Sequence, residues 1–244
     1  MRIHVGTSGY NYTEWKGTFY PADLPAKQMF GYYSAQFHTV EINYTFYRMP
    51  TDKTTSAWLA QAPPDFMYTL KAPQRITHIQ KLQGSAESLA MFVSAARVLG
   101  DHLACLLFQL PPTFRCDLER LRGFLSAMPA GVRPAFEFRH DSWLNDDVYA
   151  LLAEHRAALC IADFGTKTTP LRPTARHGYF RLRDEGYQVA DLARWADEIL
   201  ARADAWDDAF VYFKHEDEGK GPEFAKAFLD QLAQRQSGLE KGSR

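Results

Sequence analysis

Residues Ser85–Gln109, SAESLAMFVSAARVLGDHLACLLFQ, contain a helical pattern followed directly by a strand pattern. Over Ser85–Leu99 the apolar residues recur at helical spacing, with Ser85 as the expected N-cap and Gly100 as the stop. Leu103–Gln109 is a short apolar run of the kind that forms β-strands. The stretch therefore predicts one helix and one strand of an alternating α/β fold.

The same alternation continues from one end of the chain to the other. The eight strand candidates are Ile3–Gly6, Thr39–Asn43, Phe66–Lys71, Leu103–Gln109, Ala135–Arg139, Leu159–Asp163, Gly178–Arg183 and Phe210–Lys214. The further helical patterns are Asp117–Met128, Asp146–His155, Asp191–Ala205 and Pro222–Gln236. Strands that recur about every 30 residues, with helices between them, have the spacing of βα units. We therefore expect one α/β domain over residues 1–235.

Eight strands fit a closed barrel, although an open doubly wound sheet can also contain eight. No Gly-rich phosphate loop (GxGxxG or GxxxxGK[ST]) occurs, which disfavours the nucleotide-binding form of the open sheet. The length of 244 residues lies near that of a TIM-type (β/α)8 barrel, which is the predicted fold. After the sixth strand, Pro170 and Pro173 predict that an irregular segment, Thr166–Arg176, replaces the helix. Residues 236–244 are expected to form a flexible tail.

The composition excludes several classes of protein. Apolar residues make up 46% and charged residues 23%, which excludes a disordered chain, a collagen-like repeat and a disulfide framework. With 28 basic and 29 acidic residues the net charge is −1, which gives little support to nucleic acid as a partner, although a local basic mouth could hold a single-stranded end. No signal-peptide or membrane-spanning run occurs, which predicts a cytoplasmic protein without a membrane partner. Cys105, Cys116 and Cys160 form no CxxC pair and are expected to be reduced, structural thiols.

Polar or charged side chains stand at the ends of the strand candidates from the second to the eighth. Because side chains alternate along a strand, Glu41, Asn43 and Tyr47 share one face, opposite an apolar face that packs on the outer helices. The other polar residues at strand ends are Lys71, Gln109, Glu137, Arg139, Asp163, Arg181, Arg183 and Lys214. A barrel has its active site at the carboxyl ends of its strands, so these residues predict a functional pocket there. For any one residue, the alternative is a charge that meets solvent where the strand leaves the core.

This set of strand ends has an excess of positive charge. The acids are Glu41, Glu137 and Asp163, and the bases are Lys71, Arg139, Arg181, Arg183 and Lys214. Burial of such groups is costly unless they pair or meet a ligand, so the excess predicts an anionic substrate group. Arginine suits that task through its two-pronged guanidinium. A metal site is disfavoured because nearby cations compensate the carboxylates, and no metal or cofactor is predicted.

Three residues are candidates for catalysis. Glu41 and Glu137 lie on separate strands and can act as a carboxylate pair, either acid and base or acid and nucleophile. Lys71 can be a proton shuttle, or a Schiff-base amine if desolvation lowers its pKa. Equally, Glu137 and Arg139 can simply pair with neighbours of opposite charge.

Aromatic residues are concentrated in the first βα loop, at Tyr10, Tyr12, Trp15, Phe19 and Tyr20. We interpret them as packing within the loop. The alternative is a stacking wall for a sugar or a base at the mouth of the barrel.

Five ordered motifs resemble those of one known family. They are GTSGYNYTEWKGTFYP (Gly6–Pro21), VEINYTFYRMP (Val40–Pro50), KAP with ITH (Lys71–His78), LLFQLPPTF (Leu106–Phe114) and FEFRHDSW (Phe136–Trp143). Together they resemble the YecE-like family, the proteins with domain of unknown function 72, over essentially the whole chain. The resemblance implies a TIM-type barrel with the motif residues at one end. It supplies no established reaction, and Arg183 and Lys214 stand where this chain departs from the family pattern.

The positions that match the family motifs extend the set of candidate site residues. They are Gly6, Thr7, Ser8, Glu41, Asn43, Tyr47, Lys71, Thr77, His78, Gln109, Glu137, Arg139, Trp143 and Asp163. With Glu41, Glu137 and Lys71 as the catalytic candidates, the predicted substrate-binding residues are Thr7, Ser8, Asn43, Tyr47, Thr77, His78, Gln109, Arg139, Trp143, Asp163, Arg181, Arg183 and Lys214.

We expect an enzyme of hydrolase, lyase or isomerase type that uses general acid–base chemistry at the mouth of the barrel. Its expected partner is a polar, anionic small molecule such as a sugar phosphate or a nucleotide-like compound. Two alternatives stay open. One is a metal-assisted phosphodiesterase or nuclease with Glu41, His78, Glu137 and Asp163 as ligands, and the other is a ligand-binding barrel without catalysis.

Overall fold

The computed structural model of the chain describes residues 1–164, 167–216 and 218–242. Its strands are β1 (Arg2–Ser8), β2 (Thr39–Ile42), β3 (Met67–Lys71), β4 (Leu103–Gln109), β5 (Pro134–Glu137), β6 (Ala158–Phe164), β7 (Lys167–Thr168), β8 (His177–Leu182) and β9 (Asp208–Phe213). Its helices are α1 (Met29–Ser34), α2 (Tyr44–Tyr47), α3 (Asp52–Leu59), α4 (Ala86–Arg97), α5 (Leu118–Ser126), α6 (Asp146–Glu154), α7 (Val189–Leu200) and α8 (Lys220–Gly242). A π-helical turn, Arg75–Ile79, follows β3.

The parallel strands close into a barrel. Hydrogen-bonded neighbours run in the order β5-β4-β3-β2-β1-β9-β8-β6, and β5 pairs with β6 to complete the ring. These eight strands are parallel throughout, while the two-residue β7 pairs antiparallel with β6. The predicted TIM-type barrel is thereby confirmed.

The helix predicted at Ser85–Leu99 is α4, and Gly100 follows it with a φ of +55°. The cap differs from the expectation, because the Ser85 hydroxyl makes no capping bond and donates to the Leu82 carbonyl at 3.0 Å. Capping side chains are found instead at Asp117 of α5 and Asn145 of α6, which accept from backbone N–H groups in the first turn.

The segment between β6 and β8 is irregular, as predicted. Apart from β7, residues 167–176 contain no helix or strand, and Thr166 lies outside the described residues. Thr174 fixes this segment to the barrel: its hydroxyl donates to the Ala157 carbonyl at 2.7 Å and accepts from the Leu159 N–H at 2.8 Å. At the end of the chain, α8 continues through residues 236–242, which the sequence assigned to the tail, and residues 243–244 are not described.

Two apolar layers support the barrel. The larger layer lies between the strands and the helices, where Phe108 and Phe136 stack with ring centroids 5.2 Å apart. The smaller layer fills the interior of the barrel and includes Cys105, Cys160 and Tyr212. All three cysteines are free, and Cys105 and Cys160 are fully buried.

Charged side chains close the amino-terminal end of the barrel. Asp208 at the start of β9 accepts from Arg2 and His4 at 3.0 Å and from Arg133 at 3.2 Å. Arg133 also donates to the Ala104 carbonyl at 2.6 Å, which joins the starts of β4, β5 and β9. These contacts stabilise the end of the barrel opposite to the one at which TIM-barrel enzymes have their active sites. Among the described helices, none has the length and apolar character that a membrane crossing requires.

Candidate active site

Three charged side chains from three strands form a buried cluster, which we call the Arg181 cluster. Arg181 of β8 lies between Glu41 of β2 and Glu137 of β5, and all three are almost completely buried. Its Nε lies 3.1 and 3.0 Å from the two Glu41 oxygens, and its Nη2 lies 2.8 Å from Oε1. Its Nη1 donates to Glu137 Oε2 at 2.5 Å. One guanidinium therefore binds two carboxylates whose common partner the sequence analysis did not predict.

Ser8 of the neighbouring strand β1 and Tyr179 of the more distant strand β8 supply the remaining hydrogen bonds of Glu41. Ser8, which pairs in register with Glu41, donates to Oε1, and Tyr179 donates to Oε2 at 2.5 Å. Asn43 in turn donates to the Ser8 hydroxyl at 2.7 Å. Both oxygens of Glu41 are thus occupied by protein donors, and the side chain has no exposed surface.

The electrostatics of the Arg181 cluster keep both acids ionised. Burial alone raises the pKa of a carboxyl, but the charge and hydrogen bonds of Arg181 outweigh it and lower the pKa of Glu41. The pKa of Glu137 is also lowered, since Arg181, Arg139 and Arg183 together outweigh the effect of its burial. A general acid must hold a proton near neutral pH, so neither carboxyl has the properties of one.

Lys71, at the end of β3, lies near enough to the Arg181 cluster for the charges of Arg181, Glu41 and Glu137 to act on it, and it is 7% exposed. Its Nζ lies 4.2 Å from the centre of the Phe46 ring, and it forms no hydrogen bond or ion pair with the residues described here. Burial lowers the pKa of Lys71 to about 7, and Arg181 acts in the same direction against the opposing charges of Glu41 and Glu137. A large fraction of this amine is therefore neutral at physiological pH.

The turn after β2 positions the ring under Lys71. The sequence predicted strand alternation through Tyr47, but the strand ends at Ile42 and the helix α2 begins at Tyr44. Asn43, with helical φ and ψ of −86° and −20°, makes this change of direction. The Thr45 hydroxyl then donates to the Lys71 carbonyl at 2.6 Å, and the adjacent Phe46 is placed beneath Nζ.

Thr77 and His78 lie beside Lys71, on the π-helical turn after β3. The buried Thr77 hydroxyl lies 2.9 Å from His78 Nδ1, and the imidazole packs edge-on against Phe46 with the centroids 4.9 Å apart. Burial and the nearby charges of Lys71 and Arg139 lower the pKa of His78, which favours the neutral imidazole at pH 7.

A cavity of about 390 Å³ opens next to the Arg181 cluster, and we call it the Arg139 cavity. Its charged lining residues are Glu137, Arg139, Asp141, Asp163, Lys167 and Arg183. Arg139 Nε donates to Glu137 Oε1 at 2.9 Å, and Arg183 Nη1 lies 3.8 Å from the same oxygen. Three guanidinium groups, those of Arg139, Arg181 and Arg183, thus surround the two carboxylates Glu41 and Glu137, and the other charged residues of the cavity are two acids, Asp141 and Asp163, and one base, Lys167.

Gln109 of β4 lies in register with Glu137 of β5. Its amide contributes to the lowered pKa of Glu137, although its buried Nε2 has no hydrogen bond of good geometry to a described residue. Gln109 therefore belongs to the same end of the barrel as the predicted site residues.

Asn43 and Tyr47 lie at a second cavity of about 460 Å³, between the first loop and α2 and α3. Its aromatic lining residues are Tyr10, Tyr12, Tyr44, Tyr47 and Trp58. Tyr47 is 75% exposed, whereas Trp15, Phe19 and Tyr20 of the first loop are buried against one another. Most of the loop aromatics thus pack together, and Tyr10 and Tyr12 reach the cavity.

Four of the predicted site residues have their polar groups turned to other protein groups. Thr7 Oγ1 donates to the Gly9 carbonyl at 2.6 Å and contacts Tyr33. Trp143 is fully buried, stacks on Phe138 and donates to the Phe114 carbonyl at 2.7 Å. Neither side chain reaches a cavity mouth.

Asp163 and Lys214 are the other two. Asp163 accepts from Tyr187, from Trp195 Nε1 at 3.1 Å and from the Arg183 N–H at 2.7 Å, so it fixes the end of β6 to β8 and α7. Lys214 donates to Glu216 at 2.8 Å near the surface. Asp163 lines the Arg139 cavity with its carboxylate already saturated by donors.

Sequence reasoning missed two residues that shape the site. Tyr179 shares a strand face with Arg181, which was the available signal for its contact with Glu41. Phe46 carried no such signal, because strand alternation placed it on the apolar face.

The four candidate metal ligands do not converge. Arg181 separates Glu41 from Glu137, and the Asp163 oxygens accept from Tyr187 and Trp195. Within the described parts of the chain, no three His, Cys, Asp or Glu side chains are grouped so that they can hold a metal ion.

A closed parallel barrel with a buried charge cluster, and with a cavity lined by acids and bases at the carboxyl ends of its strands, defines a TIM-type barrel with a candidate active site. The family model described as "Protein of unknown function DUF72" matches residues 4–244. The chain therefore belongs to the DUF72 family, as its motifs indicated.

Relatives and solved structures support this assignment. The chain is 26% identical over 155 residues to the UPF0759 protein YunF of Bacillus subtilis, and 29% identical over 109 residues to the UPF0759 protein YecE of Escherichia coli K12. These matches span 60% and 44% of this chain, but only 54% and 40% of the relatives' own lengths. A DUF72 family protein from Thermotoga maritima has a crystal structure with a TM-score of 0.84 and 26% identity, covering 96% of this chain and 100% of that one. One from Enterococcus faecalis has a TM-score of 0.77 and 18% identity, with 95% of each chain covered.

Proposed function

We propose that this barrel is an enzyme that binds a small anionic molecule in the Arg139 cavity and transfers protons at the Lys71 amine. One observation carries the proposal. Arg139 uses only Nε to bind Glu137, while its Nη1 and Nη2 form no hydrogen bond with any residue that the structure describes. A guanidinium held by one nitrogen at the wall of a cavity is suited to bind a phosphate or carboxylate with the other two.

The surroundings of Arg139 favour an anion over a neutral ligand. Arg183 lines the same cavity, and the acids of the cavity already have protein partners. Glu137 binds Arg181, Asp141 pairs with Lys167, and Asp163 accepts from three protein donors. Because Glu137 fixes Arg139 at Nε, part of the entropic cost of ordering the guanidinium is met before the ligand arrives.

Lys71 is the group best suited to accept a proton. A general base works best when its pKa lies near the operating pH, and the pKa of Lys71 is about 7. The prediction that Glu41 and Glu137 transfer protons stays a prediction. Their contacts with Arg181 favour a different role, in which they hold Arg181 and Arg139 in place.

Calorimetric titration with matched ligand pairs tests the anion site. We expect glucose 6-phosphate and AMP to bind, and glucose and adenosine to bind at least tenfold more weakly. Arg139→Met should weaken binding of the charged members at least tenfold. The control is Arg176→Met, which removes an exposed arginine paired with Asp207 at the opposite end of the barrel. Equal binding of charged and neutral members, or an unchanged affinity in Arg139→Met, would contradict the proposal.

Hydrolysis of bis(p-nitrophenyl) phosphate distinguishes the metal-assisted alternative. On the present proposal, Mn²⁺ or Zn²⁺ does not increase hydrolysis above the rate measured in the presence of EDTA. Metal-dependent turnover that is lost in Glu137→Gln and His78→Phe would instead favour a phosphodiesterase.

A further inference from the structure

Lys71 lies in a setting that differs from those of the other charged groups at the mouth of the barrel. Lys214 pairs with Glu216, and Lys167 pairs with Asp141 on the surface. Lys71, by comparison, is only 7% exposed. The Phe46 ring lies next to its amine, in the place of the carboxylate that usually pairs with a buried lysine. Lysines are almost never buried without a partner, so a position of this kind indicates a chemical task for the amine.

Three features make the Lys71 amine a nucleophile. Its desolvated position and the two guanidinium groups of Arg181 and Arg139 disfavour the ammonium form, which has no lone pair. Both carboxylates near it are bound by Arg181, and no ion pair joins Lys71 to an acid among the residues that the structure describes. The backbone of Lys71 is fixed by Thr45, which limits the motion of the strand end that carries the amine.

We propose that Lys71 forms a covalent imine with the carbonyl carbon of a substrate that also carries a phosphate or carboxylate group. This inference rests on the anion site of the proposed function, since the Arg139 cavity would hold the anionic group of the same molecule, and it gives the Lys71 amine a covalent role in place of that of a free base. The substrate class is thereby narrowed to anionic aldehydes and ketones, such as sugar phosphates in the open-chain form and 2-oxo acids.

The step balances without an oxidant, a reductant or a cofactor. The Nζ lone pair forms a bond to the carbonyl carbon, the C=O electron pair moves to oxygen, and a proton passes from nitrogen to that oxygen. The resulting carbinolamine loses its hydroxyl group and the second Nζ proton as water, which leaves a C=N bond. The protonated imine attracts electrons from an adjacent C–C or C–H bond, so lyase and isomerase reactions become accessible.

Reductive trapping tests the inference on the whole chain. Glyceraldehyde 3-phosphate, glyceraldehyde and pyruvate are each incubated with the protein at pH 7.5, reduced with sodium borohydride, and analysed by intact mass and peptide mapping. We expect one adduct per chain, on Lys71, formed at least tenfold faster with glyceraldehyde 3-phosphate than with glyceraldehyde. Adducts that are spread over Lys167 and other surface lysines, with none enriched at Lys71, would overturn the inference.

Lys71→Arg is the matched variant, because it keeps a cationic side chain but cannot form an imine. It should lose the trapped adduct while it still binds inorganic phosphate. In the unaltered chain, competitive trace labelling with acetic anhydride provides a measurement that needs no variant: Lys71 should react faster per amine at pH 7.5 than Lys214.

Phosphate titration of the same samples separates the two proposals. Phosphate binding without an adduct at Lys71 would refute the imine and leave the anion site intact. An adduct at Lys71 that forms equally fast with both glyceraldehydes, in a protein that does not bind phosphate, would refute the anion site and retain the nucleophilic lysine.

Discussion

Arg181 Nε lies within 3.1 Å of both oxygens of Glu41, at a place where neither side chain has any exposed surface. The pair is not isolated, because Arg181 also binds Glu137 across the interior of the barrel. The excess of positive charge at the strand ends suggested an open, cationic mouth. The central cation, Arg181, instead pairs with two acids of the protein itself. The cations that face the Arg139 cavity lie around this cluster.

Replacement of Arg181 should be the most damaging single change at this end of the barrel. Arg181→Met leaves Glu41 and Glu137 buried without their main counter-charge, and loss of one partner of a buried ion pair costs about 3–5 kcal/mol. Urea unfolding monitored by circular dichroism measures this loss. Arg176→Met, which removes an exposed pair that solvent screens, is expected to cost far less than Arg181→Met. A similar loss in both variants would show that the Arg181 cluster contributes no special stability.

Lys71→Met should stabilise the protein in a pH-dependent manner. The pKa of Lys71 is about 7 in the folded chain and near its ordinary value of about 10.5 in the unfolded chain, so between these values the unfolded state binds more protons. Stability of the unaltered chain therefore rises with pH across this range, and the lysine is most costly at pH 7 and below. We expect Lys71→Met to be more stable by up to about 5 kcal/mol at pH 6, with the margin shrinking towards pH 10.

Unfolding of the two proteins in urea at several pH values measures that margin. Lys214→Met, which alters a half-buried lysine paired with Glu216, is the control for the loss of a lysine at the same end of the barrel. A margin for Lys71→Met that stays constant between pH 6 and pH 10 would mean that the amine is charged in the folded protein.

Gly6 is required by the close approach of β1 and β2. A Cβ atom at this position would lie 2.1 Å from the Thr39 carbonyl oxygen, which already accepts from Tyr33. Gly6→Ala should destabilise the protein by about 3 kcal/mol, because the two strands must move apart.

Gly123→Ala is the matched control for Gly6→Ala. It places the same methyl group in α5, where nothing lies within 4 Å, and should stabilise the helix by about 0.5–1 kcal/mol. Thermal unfolding measures both variants. Equal effects of the two substitutions would show that the clash at Gly6 is relieved at little cost.

Trp143→Phe should affect stability and leave anion binding unchanged. The substitution removes the hydrogen bond to the Phe114 carbonyl and leaves a small void beside Phe138, at a cost of about 2–3 kcal/mol. Phosphate affinity should remain within twofold of the unaltered value, in a titration below the unfolding transition. A tenfold loss of phosphate affinity would instead indicate that Trp143 contributes to the anion-binding site, as the sequence analysis predicted.

Much of the fold followed from periodicity. β4 occupies the predicted residues Leu103–Gln109, and the other barrel strands are displaced by one or two residues at their ends, since local sequence does not fix where hydrogen bonding to a neighbour stops. The largest difference falls after Ile42, where the alternation of TVEINYTFY continues but the chain turns into α2. That turn depends on the contact between Thr45 and the Lys71 carbonyl on another strand, which no local pattern contains.

The sequence predicted which residues belong to the site, but not which of them pair with one another. Glu41, Glu137 and Arg181 were all expected inside the barrel, but strand alternation gives no information about which carboxylate faces which guanidinium. Closure of the barrel decides this, because it brings β2, β5 and β8 to face one another across the interior. The structural role of Asp163 could not be predicted for the same reason, since its partners Tyr187 and Trp195 come from later in the chain.

The contact between α2 and β3 has a consequence for protein engineering. The ring that covers the Lys71 amine belongs to Phe46, and Thr45 anchors that ring to the Lys71 backbone. The strand MYTLK, transplanted alone into another barrel, would carry an ordinary, charged lysine. A designer who wants a neutral amine at a strand end must copy β3 together with the end of β2 and the helix α2 that follows it. The design also needs an arginine equivalent to Arg181 on a distant strand.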